Sequence, residues 1–125
     1  KIWLERMYMS QKEMKLLSLE EKEEITNFIK NKDYAEAFSF IKKQSDVDFS
    51  FTDELGNTIL HYLVKYCNKD QENGQVLPIA QLMLERGISH TSVNKKFKTP
   101  LDYANESSNA PLIGLFKGFP IYVDY

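Results

Sequence analysis

A polar turn that runs directly into an apolar-faced helix, at residues 53–61, limits the possible folds of this chain more than any other stretch. Gly56 takes a positive φ angle without steric cost, so the chain can reverse in a short turn just before the helix. Thr58 can act as the helix N-cap, because its hydroxyl accepts a hydrogen bond from a free N–H of the first helical turn. The apolar positions that follow at helical spacing are Leu60, Leu63 and Val64. The stretch therefore predicts a turn followed by a helix with one buried face.

The same order of turn, capping threonine and apolar helix start recurs at residues 94–104. Thr99 stands at the N-cap position, and Pro100 stands at the first helical position, where a missing N–H costs nothing. The two turns begin at residues 53 and 94, so the copies are 41 residues apart, and their lead-in segments lie at matching distances. Internal similarity of this kind indicates stacked repeats.

The two turn-and-helix starts resemble those of the ankyrin repeat family, and the resemblance extends over roughly residues 20–118. It implies an all-α fold, an ankyrin-repeat helical solenoid of stacked antiparallel helix pairs joined by hairpin-like turns, with an N-terminal capping helix. The unit is longer than the roughly 33 residues of a regular ankyrin repeat. We expect the excess to be the polar run 68–75, inserted between the two helices of the middle repeat.

Three positions depart from the pattern of the family. Ile59 replaces the usual proline, Phe97 replaces the turn glycine, and Asp102 replaces the histidine. A bulky residue disfavours positive φ, so we expect the turn at Phe97 to be distorted or of another type. His61 stands where ankyrin repeats commonly have a histidine that bonds the backbone of the neighbouring turn, so the resemblance implies a structural role for it.

The sequence divides into five predicted parts. They are an N-terminal helical cap at 1–18, a degenerate first repeat at 19–52, a second repeat at 53–93, a third repeat at 94–118 and an extended tail at 119–125. The first repeat is degenerate because no Thr-Pro-Leu-His motif precedes Ile25. The tail is too apolar for a solvated end, so we expect it to cover the end of the stack or to continue into a longer chain.

Capping boxes mark several predicted helix starts. The pairs with this spacing are Ser10 with Glu13, Ser18 with Glu21, and Asp33 with Glu36. They predict a short helix at 11–17, a second from residue 19 and a third over 34–44. A later helix is predicted with Pro78 in its first turn and Gly87 just past its end, and a last one over 110–117.

Composition excludes several classes of function. The chain is 42% hydrophobic and 27% charged over 125 residues, as in one soluble globular domain. A net charge of −2 gives no basic field for nucleic acid. We expect no membrane span, because no apolar run approaches the roughly 18 residues that one needs. The single cysteine, Cys67, favours a reducing compartment, the cytoplasm or a host cytosol, and the start at Lys1 suggests a fragment of a longer protein.

No catalytic or metal-binding motif is found in the sequence. The imidazole and thiol groups belong to His61, Cys67 and His90, and no two of them have metal-ligand spacing. Nucleophile elbows, phosphate loops and dinucleotide fingerprints are absent from the sequence. We therefore expect this chain not to be an enzyme, and to hold no cofactor and no metal.

The resemblance implies a protein–protein interaction module that binds its partner through turn tips and the concave helix face. The residues that it implies are Glu54, Leu55 and Asn57 at the first tip, Lys95, Lys96 and Lys98 at the second tip, and Tyr62, Lys65, Tyr66, Tyr103 and Glu106 on the helix faces. The lysine-rich second tip suggests an acidic patch on the partner.

Two alternatives remain open at this point. In the first, the chain is an accessory domain of a larger enzyme, such as a secreted bacterial effector, and it recruits a target or docks onto the rest of the parent chain. In the second, the stack stabilises a homodimer through its ends. A full-length sequence with a catalytic motif outside this segment would favour the effector.

Overall fold

The computed structural model describes residues 14–119. Within that range it contains six α-helices: α1 (Leu19–Lys30), α2 (Tyr34–Lys42), α3 (Ile59–Tyr66), α4 (Asn73–Glu85), α5 (Pro100–Glu106) and α6 (Ala110–Gly118). Two short strands, β1 (Lys15–Leu16) and β2 (Val47–Asp48), pair in parallel. The described chain is thus mostly helical, and the predicted all-α class is confirmed.

The helices lie in two rows. In the first row α1 contacts α3 and α3 contacts α5, and in the second row α2 contacts α4 and α4 contacts α6. Each helix of the first row also contacts the helix that follows it in the chain. Residues 19–118 therefore form three helix pairs arranged side by side, and the middle pair lies between the other two.

The hydrophobic core lies between the two rows. The predicted apolar face of α3 is confirmed, since Leu60, Leu63 and Val64 are buried, and α1 buries Ile25 and Ile29 in the same way. Phe49, in the segment after β2, is also fully buried. Burial of such side chains is the main favourable contribution to folding, at roughly 25 cal/mol per Å² of apolar surface.

Polar side chains also join successive helix pairs. Glu72, just before α4, accepts a 3.1 Å hydrogen bond from the Tyr34 hydroxyl and lies 3.1 Å from the Lys32 ammonium. The Asn73 and Asn109 amides bond each other twice, at 2.9 and 3.0 Å, which connects the middle pair to the last. The pairs are therefore held by specific polar contacts as well as by apolar packing.

Local capping signals predict most helix starts correctly. Ser18 and Glu21 form both bonds of a capping box, at 3.2 and 3.0 Å. Asp33 does not cap α2 with its side chain, although α2 begins at the predicted residue. Its ψ angle of 68° differs from the 164° of Ser18, and its N–H instead donates to the Phe28 carbonyl at 2.8 Å. The link between α1 and α2 is therefore closed by backbone bonds.

Two helix predictions need correction. The predicted helix at 11–17 is wrong in its described part, because Lys15 and Leu16 pair with β2 as a strand, and the Lys15 N–H donates to the Asp46 carbonyl at 2.7 Å. Pro78 lies inside α4 rather than in its first turn, since α4 begins at Asn73. Residues 73–75 of the predicted insertion therefore belong to the helix.

The predicted end of α4 is confirmed. Gly87 takes a φ of 94° just after the helix, its N–H donates to Leu84, and the Ile88 N–H donates to Met83. These two bonds form a Schellman motif, which satisfies the last carbonyls of the helix. The rest of the predicted N-terminal cap, residues 1–13, and the tail 120–125 lie outside the described residues.

Candidate functional site

The first turn is held by the carboxylate of Asp53. Its Oδ1 atom accepts hydrogen bonds from the N–H groups of Leu55 and Asn57, both at 3.0 Å. The Asp53 N–H donates to the Asn57 carbonyl and the Gly56 N–H donates to the Asp53 carbonyl, both at 3.0 Å. Gly56 has a φ of 78°, so this turn uses the conformational freedom of glycine.

The second turn repeats the four hydrogen bonds of the first. Asn94 Oδ1 accepts from the N–H groups of Lys96 and Lys98 at 2.9 and 3.0 Å. The Asn94 N–H donates to Lys98 at 2.9 Å, and the Phe97 N–H donates to Asn94 at 3.0 Å. Each bond lies 41 residues after its equivalent in the first turn. The two turns are therefore the same structure built on an aspartate and on an asparagine.

The expected distortion at Phe97 is wrong. Phe97 takes a φ of 62°, in the same region as Gly56 at 78°. Its side chain is 85% exposed, so the ring meets no neighbouring element that would push the backbone away from this conformation. The Asn94 side chain accepts two hydrogen bonds within the turn, and their stabilisation outweighs the local cost of a positive φ.

The two turns pack directly on each other. The Lys95 N–H donates to the Leu55 carbonyl at 3.0 Å, and the Asn94 amide donates to Asn57 Oδ1 at 2.7 Å. A Cβ atom on Gly56 would lie 3.1 Å from both the Asn94 Cα and the Lys95 nitrogen. Gly56 is therefore required for its positive φ and also for the close approach of the next turn.

His61 connects the cap of α3 to the second turn. Its Nδ1 accepts a hydrogen bond from the Thr58 N–H at 3.0 Å, and its Nε2 lies 3.0 Å from the Lys98 carbonyl. A carbonyl only accepts, so the ring carries its proton on Nε2. The bond to the neighbouring turn that the resemblance implied for His61 is therefore present. Burial lowers the pKa of His61, which favours the neutral ring.

Acid is expected to destabilise the fold through His61. The free energy of unfolding should fall as the pH drops below about 6.5, the ordinary imidazole pKa. The unfolded chain takes up this proton at a higher pH than the folded chain, so protonation favours unfolding. Denaturant unfolding between neutral pH and about pH 5 measures the effect. The variant His61→Gln should be less stable at neutral pH but should lose less on acidification, and an equal loss in both proteins would contradict this role.

Lysines and tyrosines form a continuous row across the first-row helices, which we call the lysine–tyrosine face. Its members are Lys30 on α1, Tyr62, Lys65 and Tyr66 on α3, and Tyr103 on α5. The Lys30 ammonium lies 4.6 Å from the centre of the Tyr62 ring, which stacks on Tyr66 at 6.0 Å. The Lys65 ammonium lies 5.9 Å from the Tyr66 ring and 5.7 Å from the Tyr103 ring. These contacts link all three first-row helices.

The first turn supports this face through a hydrogen bond. The Tyr62 hydroxyl donates to the Asp53 carboxylate. Burial, together with this bond, raises the pKa of Tyr62 to about 12. Burial alone would raise the pKa of Asp53, but the bonds from Tyr62 and from the N–H groups of Asn57 and Leu55 outweigh it, and the net shift is downward. Asp53 therefore stays ionised and orients the Tyr62 ring.

The structure leaves most of the predicted site residues accessible. The exposed ones are Glu54, Leu55, Lys65, Tyr66, Lys95, Lys96 and Glu106, and the half-buried ones are Lys98 and Tyr103. Lys98 forms an ion pair with Glu106. The lysine–tyrosine face and the two tips therefore carry most of the predicted contact residues.

Two predicted contact residues are buried instead. Asn57 is 6% exposed, because its side chain accepts the amide hydrogen bond from Asn94. Tyr62 is 5% exposed, since it is held by Asp53 and covered by Lys30 and Tyr66. Both side chains therefore lie beneath the exposed residues and hold them in place, so neither is accessible as the contact residue that the sequence predicted.

Lys30 is the member of the face that sequence reasoning missed. The first repeat lacks the turn motif, so nothing in the sequence aligns α1 with α3 and α5. Tyr62 and Tyr103 lie 41 residues apart at matching positions of their copies, and that repetition is the signal that locates the other members. Only the packing of α1 on α3 brings Lys30 to the Tyr62 ring.

Other kinds of site find no support within the described residues. Among residues 14–119, no three His, Cys, Asp or Glu side chains lie close enough together to hold a metal ion. In the same part of the chain, no helix is both long and apolar enough to cross a bilayer. No protein-family model and no curated protein sequence matches this chain.

Proposed function

We propose that this chain is an ankyrin-type repeat stack that binds another protein through the lysine–tyrosine face and the adjoining turn tips. Three helix pairs in two rows support the repeat architecture. Two stacked turns with the same hydrogen bonds, 41 residues apart, support it further. Stacks of this kind present one extended surface from several repeats.

The observation that carries the proposal is the arrangement of the lysine–tyrosine face. Its side chains hold one another by ring stacking and by ammonium–ring contacts of 4.6 to 5.9 Å. Ordering long side chains on binding costs about 0.5–1.5 kcal/mol for each one. A surface whose lysines and tyrosines are already ordered avoids part of this cost, and tyrosine is a common hot-spot residue. This arrangement favours recognition of a partner over a merely solvated surface.

The charges near the face indicate the chemistry of the partner. Lys65 on the face and Lys95 and Lys96 at the second tip are exposed. Within residues 14–119, the structure pairs none of the three with a carboxylate. An acidic patch on a partner protein would complement them, and steering between opposite charges raises association rates.

A comparison of two variants in affinity capture tests the proposal. The face variant carries Lys65→Glu and Tyr66→Ala on α3. The control carries Lys42→Glu on α2 and Gln81→Ala on α4, which are exposed positions in the second row with the same change of charge. Both variants should fold, because all four side chains are exposed. The face variant should be less stable than the control by about 0.5–1.5 kcal/mol, because it loses the Tyr66 ring that stacks on Tyr62.

A partner should be retained by the wild type and the control but lost by the face variant. After identification by mass spectrometry, the purified partner should bind the face variant at least roughly tenfold more weakly in calorimetry. If the partner binds the face variant as tightly as the wild type, the lysine–tyrosine face is not the binding site.

A further inference from the structure

The second turn carries an aromatic side chain that contributes nothing to the packing of the described fold. Phe97 is 85% exposed and keeps a φ of 62°, a conformation that is unfavourable for a bulky residue. Gly56 shows that the same turn forms without a side chain at the equivalent position. The hydrogen bonds of Asn94 account for the backbone of this turn, but folding makes no use of the exposed ring, which is therefore free to contact another molecule.

Positive charge and a second apolar side chain surround Phe97. Lys95 and Lys96 precede it and are exposed, and Leu55 of the first turn is 55% exposed. The bond from the Lys95 N–H to the Leu55 carbonyl places Leu55 next to them. We call these four residues the basic tip. It is an apolar projection flanked by lysines, so it fits an acidic recess with an aromatic floor.

A recess of that kind lies at the other end of the same molecule. Four acidic residues, the half-buried Phe28 and two asparagines line an open, shallow groove of about 620 Å³ beside α1, which we call the acidic groove: Glu20, Glu23, Glu24, Asn27, Phe28, Asn31 and Asp33. Among the described residues, its lining contains no lysine or arginine, and none of the four carboxylates forms an ion pair.

The basic tip cannot fill the acidic groove of its own chain. The groove lies on α1, at one end of the first row, whereas the tip adjoins α5 at the other end. Helix α3 lies between them and contacts both. Among residues 14–119, helix α3 separates the two complementary surfaces, so they meet only between two copies of the chain.

We propose that the basic tip of one copy docks into the acidic groove of a second copy. The Phe97 ring contacts the Phe28 ring, and Lys95 and Lys96 pair with the carboxylates at the rim. The two surfaces differ, so the contact is heterologous and adds copies head to tail. The contact area is small and exposed ion pairs are weak, so the association is weak and sensitive to salt. It uses no residue of the lysine–tyrosine face and goes beyond the proposed function, but it shares Lys95 and Lys96 with the second tip of the proposed binding surface, so a partner bound at that tip competes with the docking.

Sedimentation equilibrium over a range of protein concentrations tests the docking. At low ionic strength the average mass of the wild type should rise with concentration, and high salt should return it to the monomer mass. Phe97→Gly removes the ring and keeps the turn conformation, so it should fold and associate at least roughly tenfold more weakly. The variant with Lys65→Glu and Tyr66→Ala changes the face and leaves the tip intact, so it should still associate, which separates the docking from contacts of the lysine–tyrosine face.

Exchange of charges gives a second and independent test. One variant carries Lys95→Glu and Lys96→Glu in the tip, and the other carries Glu20→Lys and Glu24→Lys in the groove. Each variant alone should be monomeric. Their mixture should associate, because the reversed tip meets the reversed groove and the unchanged tip of one variant meets the unchanged groove of the other. A wild type that stays monomeric at millimolar concentration, as expected if the tip serves only another protein or a membrane, would overturn the proposal. Unchanged association of Phe97→Gly, or a monomeric mixture, would do so as well.

Discussion

Replacing Leu60 with alanine is expected to lower the free energy of unfolding by about 2–5 kcal/mol. Leu60 is fully buried on α3, the middle helix of the first row, which contacts α1, α5 and α4. Truncation removes apolar contacts and leaves a cavity that the surrounding helices close only in part. The effect should be among the largest of any single truncation, because all three helix pairs meet around α3.

Chemical denaturation monitored by circular dichroism measures this change. Leu19→Ala is the matched control, because Leu19 is 73% exposed at the start of α1. The control should stay within about 0.5 kcal/mol of the wild type. Equal unfolding midpoints for Leu60→Ala and the wild type would mean that α3 does not bury this face.

The substitution Gly56→Val is expected to have the second large effect. The strain of a positive φ on a branched residue costs about 1–3 kcal/mol. The new Cβ would also lie 3.1 Å from backbone atoms of Asn94 and Lys95, so the second turn has to move away from the first. Hydrogen bonds between the turns, such as that from Lys95 to Leu55, should weaken with it.

Phe97→Gly is the matched substitution in the other turn. It relieves a positive φ at an exposed position, so it should leave the stability unchanged or raise it by up to about 1 kcal/mol. Both directions follow from the positive φ alone, so a loss for Gly56→Val well beyond the roughly 1–3 kcal/mol of that strain would show that the stacking of the turns adds to the requirement at residue 56. If Gly56→Val melted like the wild type, the two turns would not be in contact.

Local signals in the sequence predicted the parts of the fold that depend on a few neighbouring residues. Thr58 and Thr99 cap their helices as expected, because an N-cap needs only its own first turn. The strand pairing of Lys15 with Val47 could not be predicted this way, since it depends on a contact between distant segments. At Phe97 a local steric preference gave the wrong expectation, because the hydrogen bonds of Asn94 hold the turn.

The candidate site shows the same division between local and distant contacts. The resemblance placed Tyr66 and Tyr103 on the helix faces, and both lie on the lysine–tyrosine face. It could not tell that Asn57 and Tyr62 are buried, because Asn94 and Lys30 cover them from other parts of the chain. Predicting which residues of one repeat are exposed therefore requires the positions of the neighbouring repeats.

The most direct test of the central claim is a map of the amide resonances of the isotope-labelled chain as the captured partner is added. The proposed binding surface predicts changes at Lys30, at residues 62–66 and 95–98, and at Tyr103. Resonances of α2, α4 and α6 should stay in place. Changes confined to those second-row helices would contradict binding through the lysine–tyrosine face.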